Sequence, residues 1–387
     1  MDRREFSKTL GWTALAAAAP TAVLGATSAP RIDRQDRKAW ARTHFRGFEN
    51  ILMPSFTPDM KRLDEAGVRL DVRKSIEHGF FSMMCAMETL NPAERKQFAA
   101  IAIDEAKGRI AVGSSLGAGP PEGPADLAGR QDVMKELSRL GSGHMLLNLA
   151  HATSEDEMVR MGTEFAESTD MAVVLWWANH HRYDRFAPNG IPTRAYDKLF
   201  EVPNIVALKF GSTDPAQVFD MHERYSKKTL IGTLWFNAMP LAVKHYGQQW
   251  SGATTIEMMQ SPQKRYCVDW FNMLMAGKYD VAEDLYWRRV APAFTQMMGF
   301  MNRKMPRGAH AWDHLKYYQF ATGGNGGQSR KDVHQPDLPP IDEAFMNDVK
   351  AAFRKNDITP SDLPDEAFYV GRVNYDKGVR RPAPAKS

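Results

Sequence analysis

Cysteine is scarce in this chain of 387 residues, which has only Cys85 and Cys267. Two cysteines so far apart, without metal-ligand spacing, indicate neither a disulfide framework nor a zinc site. An excess of positive charge is also lacking, because 50 lysines and arginines stand against 46 aspartates and glutamates, for a net charge of +4. Since both signs are interspersed and no basic stripe is visible, we expect no nucleic-acid partner.

Long apolar runs are absent except near the N-terminus. Residues 10–24 are Ala-rich and weakly hydrophobic, and they follow Arg3-Arg4-Glu5-Phe6, which matches the twin-arginine export signal. A retained membrane anchor is the alternative, but the stretch is shorter than the roughly 20 apolar residues that a span needs, and Pro20 interrupts it. We therefore expect residues 1–29 to be a signal peptide, and the mature protein to lie in the periplasm without a membrane association.

The chain has no Gly-rich phosphate-binding turn after an early strand, which disfavours a doubly wound open sheet. From residue 48 onward, strand-like and helix-like patterns alternate instead. The eight apolar runs are Phe48–Met53, Phe80–Ala86, Arg109–Gly113, His144–Leu149, Ala172–Trp177, Ile205–Phe210, Thr229–Leu234 and Trp250–Ile256. Eight strands separated by amphipathic helices predict an α/β fold, a (β/α)8 TIM barrel, over residues 45–300.

After the eighth run, the sequence predicts helices at Pro262–Ala276, Asp280–Gly299 and Ile341–Lys355, rich in Met, Trp and Phe. Such stripes are typical of core or subunit-interface packing, so we expect these helices to lie beside the barrel, with residues 301–360 as a C-terminal helical extension. We interpret Gly323–Gly327 as a flexible loop and residues 361–387 as a mobile tail.

Lys209 is the only charged residue in the apolar run Asn204–Phe210. A strand this hydrophobic is buried on both faces, where an ammonium group is costly unless it is paired, deprotonated or used chemically. Lys209 is therefore either a reactive amine or a lysine at a strand end that extends its charge to water.

Several segments resemble the dihydrodipicolinate synthase and N-acetylneuraminate lyase family, the pyruvate-type class I aldolases. Pro203–Lys209 is similar to the family's Schiff-base strand, and Glu88–Arg95 to the segment that closes its substrate motif, with weaker similarity at Ser251–Thr255 and Gly323–Arg330. The resemblance implies a (β/α)8 barrel with a C-terminal helical extension, imine formation by Lys209 with a 2-oxo acid such as pyruvate, and a homo-oligomer, either tetramer or dimer. It implies no cofactor and no metal.

The chain departs from the family where the family binds the substrate carboxylate. The family has Gly-Thr-Thr-Gly-Glu after the second strand, whereas this chain has Met84-Cys85-Ala86-Met87-Glu88. Glu88 is retained and Thr89 is the nearest hydroxyl, so we expect both to contact substrate. Ser114, Ser115 or a backbone amide could replace the lost donors, and we assign Ser114 to the substrate site.

A second departure concerns proton transfer. The family's tyrosine at the end of the fifth strand is replaced by Trp176-Trp177, and an indole is neither an acid nor a base near neutral pH. The following loop offers Tyr183, His180 or His181 for proton transfer, and we assign Tyr183 this catalytic role.

The family's other tyrosine is also missing, and His151 in that region is a candidate substrate contact. Trp176, Trp177 and Trp235 lie near predicted strand ends, where the site of a barrel opens. We assign them to substrate binding, although ordinary barrel packing is an equal alternative. Aromatic walls favour a substrate with an apolar or aromatic portion, as in the family's hydratase-aldolases.

Together these features predict a Schiff-base-forming lyase, an aldolase or hydratase-aldolase, acting on a 2-oxo acid. The alternative is a non-catalytic binding protein on the same barrel that has lost the carboxylate clamp and the tyrosine.

Overall fold

The computed structural model of the protein describes residues 32–116, 123–252, 255–304, 311–330 and 340–381. Its centre is one eight-stranded parallel sheet in the order β7-β6-β5-β4-β3-β2-β1-β8. The strands are β1 Gly47–Leu52, β2 Ser82–Cys85, β3 Ala111–Leu116, β4 His144–Asn148, β5 Ala172–Trp177, β6 Ile205–Phe210, β7 Leu230–Thr233 and β8 Trp250–Ser251. Ser251 Oγ donates to the carbonyl of Thr233 at 3.0 Å, which joins β8 to β7 and nearly closes the barrel.

Helices alternate with the strands, which confirms the predicted (β/α)8 barrel. Those that precede, separate or follow the strands are α1 Arg37–His44, α2 Glu65–Glu77, α3 Pro92–Ala106, α4 Gly123–Leu140, α5 Glu155–Glu167, α6 Thr193–Leu199, α7 Pro215–Tyr225, α8 Met239–Tyr246 and α9 Tyr266–Met275. The capping box of α3 shows why it begins where it does, since Asn91 accepts from the backbone of Glu94 and Glu94 from that of Asn91.

The remaining helices form the C-terminal extension. They are α10 Tyr279–Leu285, α11 Ala291–Lys304, α12 Trp312–Ala321, α13 Glu343–Lys355, α14 Asp365–Val370 and α15 Arg372–Asp376, and a π-helical turn at Tyr286–Val290 joins α10 to α11. The predicted helix Asp280–Gly299 is therefore interrupted. Phe236, Trp270 and Phe294 stack at 5.0 to 5.4 Å between ring centroids, so the predicted aromatic helices pack against the barrel.

The N-terminal end of the barrel is closed by α1, which the sequence did not predict. Phe45, just after this helix, is buried, and its ring lies 5.0 Å from that of His144 and 5.5 Å from that of Trp250. Because these rings fill this end of the barrel, a small molecule can reach the interior only from the opposite end, where the strands have their carboxyl termini.

Two expectations about the C-terminal region are wrong. The glycine-rich segment 323–327 is packed: Asn325 is fully buried, and its backbone amide donates to Asp71 Oδ1 at 2.6 Å. The segment from 361 to 381, predicted as mobile, contains α14 and α15. Phe368 of α14 is fully buried, and Arg372 donates to the carbonyl of Phe320 at 3.0 Å, so this segment is held to α12.

The predicted signal peptide, residues 1–29, lies outside the described residues, and so do residues 382–387 of the predicted tail. Among the helices that the structure describes, none combines the length and the apolar character needed to cross a bilayer.

Candidate active site

Lys209 lies in the second half of β6, facing Trp176 of β5 and Gly232 of β7 in the sheet register. Its side chain is 5% exposed, and its Nζ lies 4.8 Å from the centre of the Trp176 ring. Burial lowers the pKa of Lys209 to about 8, although the charges of Glu49 and Glu88 oppose this shift. With that pKa, roughly one amine in ten is neutral at pH 7 and able to act as a nucleophile.

Glu88 and Ser115 meet beside the lysine at the mouth of the barrel. Ser115 Oγ donates to Glu88 Oε1 at 2.6 Å, and the charge of Glu88 acts on Lys209. Thr89 is half-buried next to Glu88. The structure thus places Glu88 near the amine of Lys209. Glu88 and Ser115 together supply a carboxylate and a hydroxyl there.

The structure brings Ser115 to Glu88 and does not bring Ser114 there, although Ser114 is the serine assigned from the sequence to the substrate site. The hydroxyl of Ser114 lies 3.4 Å from that of Ser142, whereas the hydroxyl of Ser115 bonds Glu88. Successive side chains of a strand point to opposite faces, so only one of two neighbouring serines can reach the interior of the barrel.

The two tryptophans of β5 separate in the same way. Trp176 lies over the amine of Lys209, and its contact with substrate stays a prediction. Trp177 is buried against Phe210, with 4.6 Å between ring centroids, and its Nε1 donates to the carbonyl of Gly190 at 2.8 Å. Trp177 therefore anchors the loop after β5, and its contact with substrate stays a prediction.

His181 borders the other side of Trp176, with 4.8 Å between ring centroids. Burial, together with the charges of His180, Lys209, His151 and neighbouring groups, holds the pKa of His181 well below its ordinary value. The ring is therefore neutral at pH 7. Since the charge of His151 reaches His181, His151 belongs to the same side of the mouth.

The loop that carries His181 is fixed by Arg185. The Arg185 guanidinium donates to the carbonyl of His181 at 2.8 Å and to the carbonyl of Ala150 at 2.5 Å. Asn148, at the end of β4, lies 3.3 Å from His181 Nε2. These bonds hold the imidazole in place, and the exposed side chain of Arg182 pairs with Asp184.

Tyr183 and Trp235 each pack against another aromatic ring. Tyr183 is buried against His181, with 5.5 Å between ring centroids, and burial raises the pKa of its phenol. A phenol with a raised pKa remains protonated at pH 7, and the role of Tyr183 in proton transfer stays a prediction. Trp235 follows β7 and packs edge-on against Phe294 of α11 at 5.3 Å, and its contact with substrate also stays a prediction.

Sequence reasoning missed a buried acid in the interior of the barrel. Glu49 of β1 is 2% exposed and bonds His144 of β4, and Ser82 Oγ of β2 donates to Glu49 Oε1 at 3.1 Å. The signal was available, because Glu49 is a charged residue inside an apolar run, as Lys209 is. No cluster of three or more histidine, cysteine, aspartate or glutamate side chains suited to a metal occurs in the described part of the chain.

The fold and the site together define the class of this protein: it is a TIM barrel with a buried lysine near the carboxyl end of β6. No protein-family model and no curated protein sequence matches the chain. Its fold is similar to that of solved aldolase-type lyases. These include N-acetylneuraminate lyase from Fusobacterium nucleatum complexed with pyruvate (TM-score 0.63, 16% identity, 81% of this chain and 97% of that chain) and dihydrodipicolinate synthase from Oceanobacillus iheyensis (0.63, 14%, 82% and 98%).

A third similar structure is the N-acetylneuraminate lyase of Clostridium difficile in complex with mannosamine, with a TM-score of 0.59, 16% identity, and coverage of 80% of this chain and 99% of that chain. At these identities the likeness establishes the fold. It agrees with the family that the segments around Lys209 and Glu88 resemble.

Proposed function

We propose that this protein is a Schiff-base-forming lyase, an aldolase or hydratase-aldolase, that acts on a 2-oxo acid. The observation that carries the proposal is the buried amine of Lys209 at the open end of the barrel, with its pKa lowered to about 8. A solved structure of this fold, N-acetylneuraminate lyase from Fusobacterium nucleatum, is complexed with pyruvate, which is a 2-oxo acid.

The reaction begins when the neutral amine of Lys209 adds to the substrate carbonyl carbon. The resulting carbinolamine takes up a proton and loses water, which leaves a protonated imine. The hydroxyl on the carbon that departs then gives up its proton and the carbon–carbon bond next to the imine's α-carbon breaks, so the departing fragment leaves as a carbonyl compound and the electron pair converts the imine into an enamine. A proton added to the enamine carbon regenerates the imine. Hydrolysis releases the 2-oxo acid and frees the lysine.

Two groups beside Lys209 are suited to the proton transfers. Glu88, hydrogen-bonded to Ser115, offers a carboxylate next to the amine, and His181 offers a neutral imidazole on the other side of Trp176. Which of the two transfers a proton depends on which lies closer to the reacting group of the bound substrate. Replacing Glu88 and His181 one at a time would separate their roles.

The rings at the mouth support a substrate with an apolar or aromatic portion. Trp176, His180 and His181 contact one another edge-on, at 4.7 to 5.5 Å between ring centroids. Such a wall gives a planar group a large contact area. The negative charge of Glu88 repels the substrate carboxylate, so we place that carboxylate away from Glu88.

The test is reductive trapping. The protein is incubated with pyruvate or with an aryl-substituted 2-oxo acid, borohydride is added, and peptides are mapped by mass spectrometry. We expect a reduced adduct on Lys209 that is lost in Lys209→Met but kept in the matched control Lys228→Met, whose lysine is exposed. An adduct without product release would favour the non-catalytic binding protein, and no adduct with any 2-oxo acid would refute imine chemistry.

We further propose that the protein is exported to the periplasm by the twin-arginine route and that it forms a homo-oligomer, a tetramer or dimer. The export proposal rests on Arg3-Arg4 and the apolar stretch that follows. Replacing both arginines with lysine and assaying cell fractions tests the export route. Light scattering of the mature protein tests the number of subunits.

A further inference from the structure

A second ionisable group lies inside the barrel together with Lys209, and the proposed function does not use it. Glu49 of β1 bonds His144 and Ser82, and all three side chains are almost completely buried. A carboxylate removed from water is costly unless it is paired and hydrogen-bonded. Here three strands contribute to that pairing, so the arrangement is part of the barrel's construction.

The neighbouring strands make room for this arrangement. A β-carbon added to Gly113 of β3 would overlap the imidazole of His144, and one added to Gly252, just after β8, would overlap the indole of Trp250. The β-carbon added to Gly252 would also lie 3.5 Å from Glu49 Oε2. The carboxylate is therefore enclosed by bulky rings that fit only because these two positions are glycine.

We propose that Glu49 is the counter-ion of Lys209 and stabilises the protonated imine that Lys209 forms with substrate. This inference rests on the proposed function and adds a residue to it. Imine formation combines an amine, a carbonyl and a proton to give a protonated imine and water, so a positive charge remains on the lysine nitrogen. In a buried site, a nearby fixed anion stabilises that cation much more strongly than it would in water.

The charges around the two groups support this assignment. Gly232, the register partner of Lys209, and Gly252, beside Glu49, both border the indole of Trp250, so the two groups lie in the same part of the barrel interior. The charges of Glu49 and Glu88 act on Lys209. Glu49 faces His144, Ser82, Lys209 and Cys85, and burial raises the pKa of the Cys85 thiol, which keeps it uncharged. Burial alone would raise the pKa of Glu49, but His144, Lys209 and Ser82 outweigh it and lower that pKa, so Glu49 is an anion at neutral pH.

The first experiment measures the pKa of Lys209 without substrate, from the pH dependence of its rate of modification by a small amine-reactive reagent, read by peptide mass spectrometry. Removal of the anion in Glu49→Gln should lower this pKa by about one unit or more, and Glu49→Asp, which keeps the charge, should restore most of it. An unchanged pKa in a folded Glu49→Gln would overturn the proposal.

The second experiment measures the fraction of Lys209 trapped by borohydride at saturating 2-oxo acid. We expect roughly tenfold less adduct in Glu49→Gln than in the wild type, with recovery in Glu49→Asp, since a shift of one pKa unit corresponds to a tenfold change. Equal trapping in both would overturn the counter-ion. No adduct in the wild type would overturn the proposed function and, with it, the role of Glu49 toward the imine.

If Glu49→Gln does not fold, Lys209→Met gives a second readout. The lowered pKa of Glu49 contributes stability that is present above its unfolded pKa and is lost as the pH falls through its folded pKa. Without the cation of Lys209 this depression should be smaller, so the free energy of unfolding should fall less on acidification in Lys209→Met than in the wild type. An unchanged acid transition would contradict the coupling between the two groups.

Discussion

Glu257 provides a direct test of the electrostatics that hold the C-terminal extension to the barrel. It lies in the short helical turn Ile256–Met258 after β8 and is buried. Its Oε1 accepts from Asn50 at 2.6 Å and from Gln319 of α12 at 3.3 Å. Burial raises the pKa of Glu257 to about 8, and the nearby Asp71 adds to the shift. The carboxyl is therefore protonated at pH 7 in the folded protein and ionised in the unfolded chain.

The sign of the effect follows from proton binding. Between the ordinary pKa of 4.5 and about 8, the folded state binds a proton at Glu257 that the unfolded state does not, so the free energy of unfolding falls as the pH rises. Each unit of pH changes it by about 1.4 kcal/mol, which gives a loss of about 3 kcal/mol by pH 7. Glu257→Gln keeps the shape of the protonated acid and has no proton to lose. We therefore expect it to match the wild type near pH 4.5 and to be more stable by about 3 kcal/mol at pH 7.

The assay is urea unfolding, followed by tryptophan fluorescence, at pH 5, 6, 7 and 8. In the difference between the free energies of unfolding of Glu257→Gln and wild type, the contributions of the other titrating groups cancel. This difference should grow with pH. Glu223→Gln, at an exposed position, controls for the loss of one negative charge. A difference that is flat with pH, or a variant less stable than wild type at pH 7, would show that Glu257 is ionised in the folded protein.

Three further outcomes are expected. Gly113→Ala should destabilise the protein by about 1–3 kcal/mol, because its β-carbon overlaps the His144 ring. Gly143→Ala is the control, because its added β-carbon meets only an ordinary contact of 3.6 Å. Thermal unfolding of both variants checks this prediction, and equal effects would contradict it. Truncation before residue 361 removes buried Phe368 and should lower the melting temperature measured by calorimetry; an unchanged value would support a mobile tail. Trp176→Leu removes the ring over the amine, so the pKa of Lys209 should fall by a few tenths to one unit in the modification assay, and a rise would contradict the cation–π contact.

The sequence was sufficient for the architecture because each buried strand is a short apolar run bounded by polar residues. The predicted runs all overlap observed strands, although β3 begins at Ala111 instead of Arg109 and β8 ends at Ser251. The helix α1 was missed because it precedes the repeating pattern. The packing of Gly323–Gly327 was missed because its partners, such as Asp71, are distant in the sequence.

The candidate site was predicted less completely, for a physical reason. Strands buried on both faces carry no alternation of apolar and polar residues, so their phase cannot be read when two neighbours are alike. Ser114-Ser115 and Trp176-Trp177 are such pairs, and in each case only one residue faces Lys209 or its partner Glu88. Lys209 could be placed because it has no similar neighbour. Glu49 could have been placed by the same reasoning.

The interior of the barrel behaves as one interlocked unit, which limits what a single substitution can reveal. His144 fits because residue 113 is glycine, and the indole of Trp250 fits because residues 232 and 252 are glycine; at Gly232 an added β-carbon would lie 2.9 Å from that indole. Glu49 can stay ionised because His144 and Lys209 face it. Residues that share contacts and charges in this way give non-additive effects. A double-mutant cycle between Glu49→Gln and Lys209→Met should therefore show a coupling energy well above the few tenths of a kcal/mol expected of independent sites. Additive effects would mean that the carboxylate and the amine are electrostatically separate despite sharing one barrel.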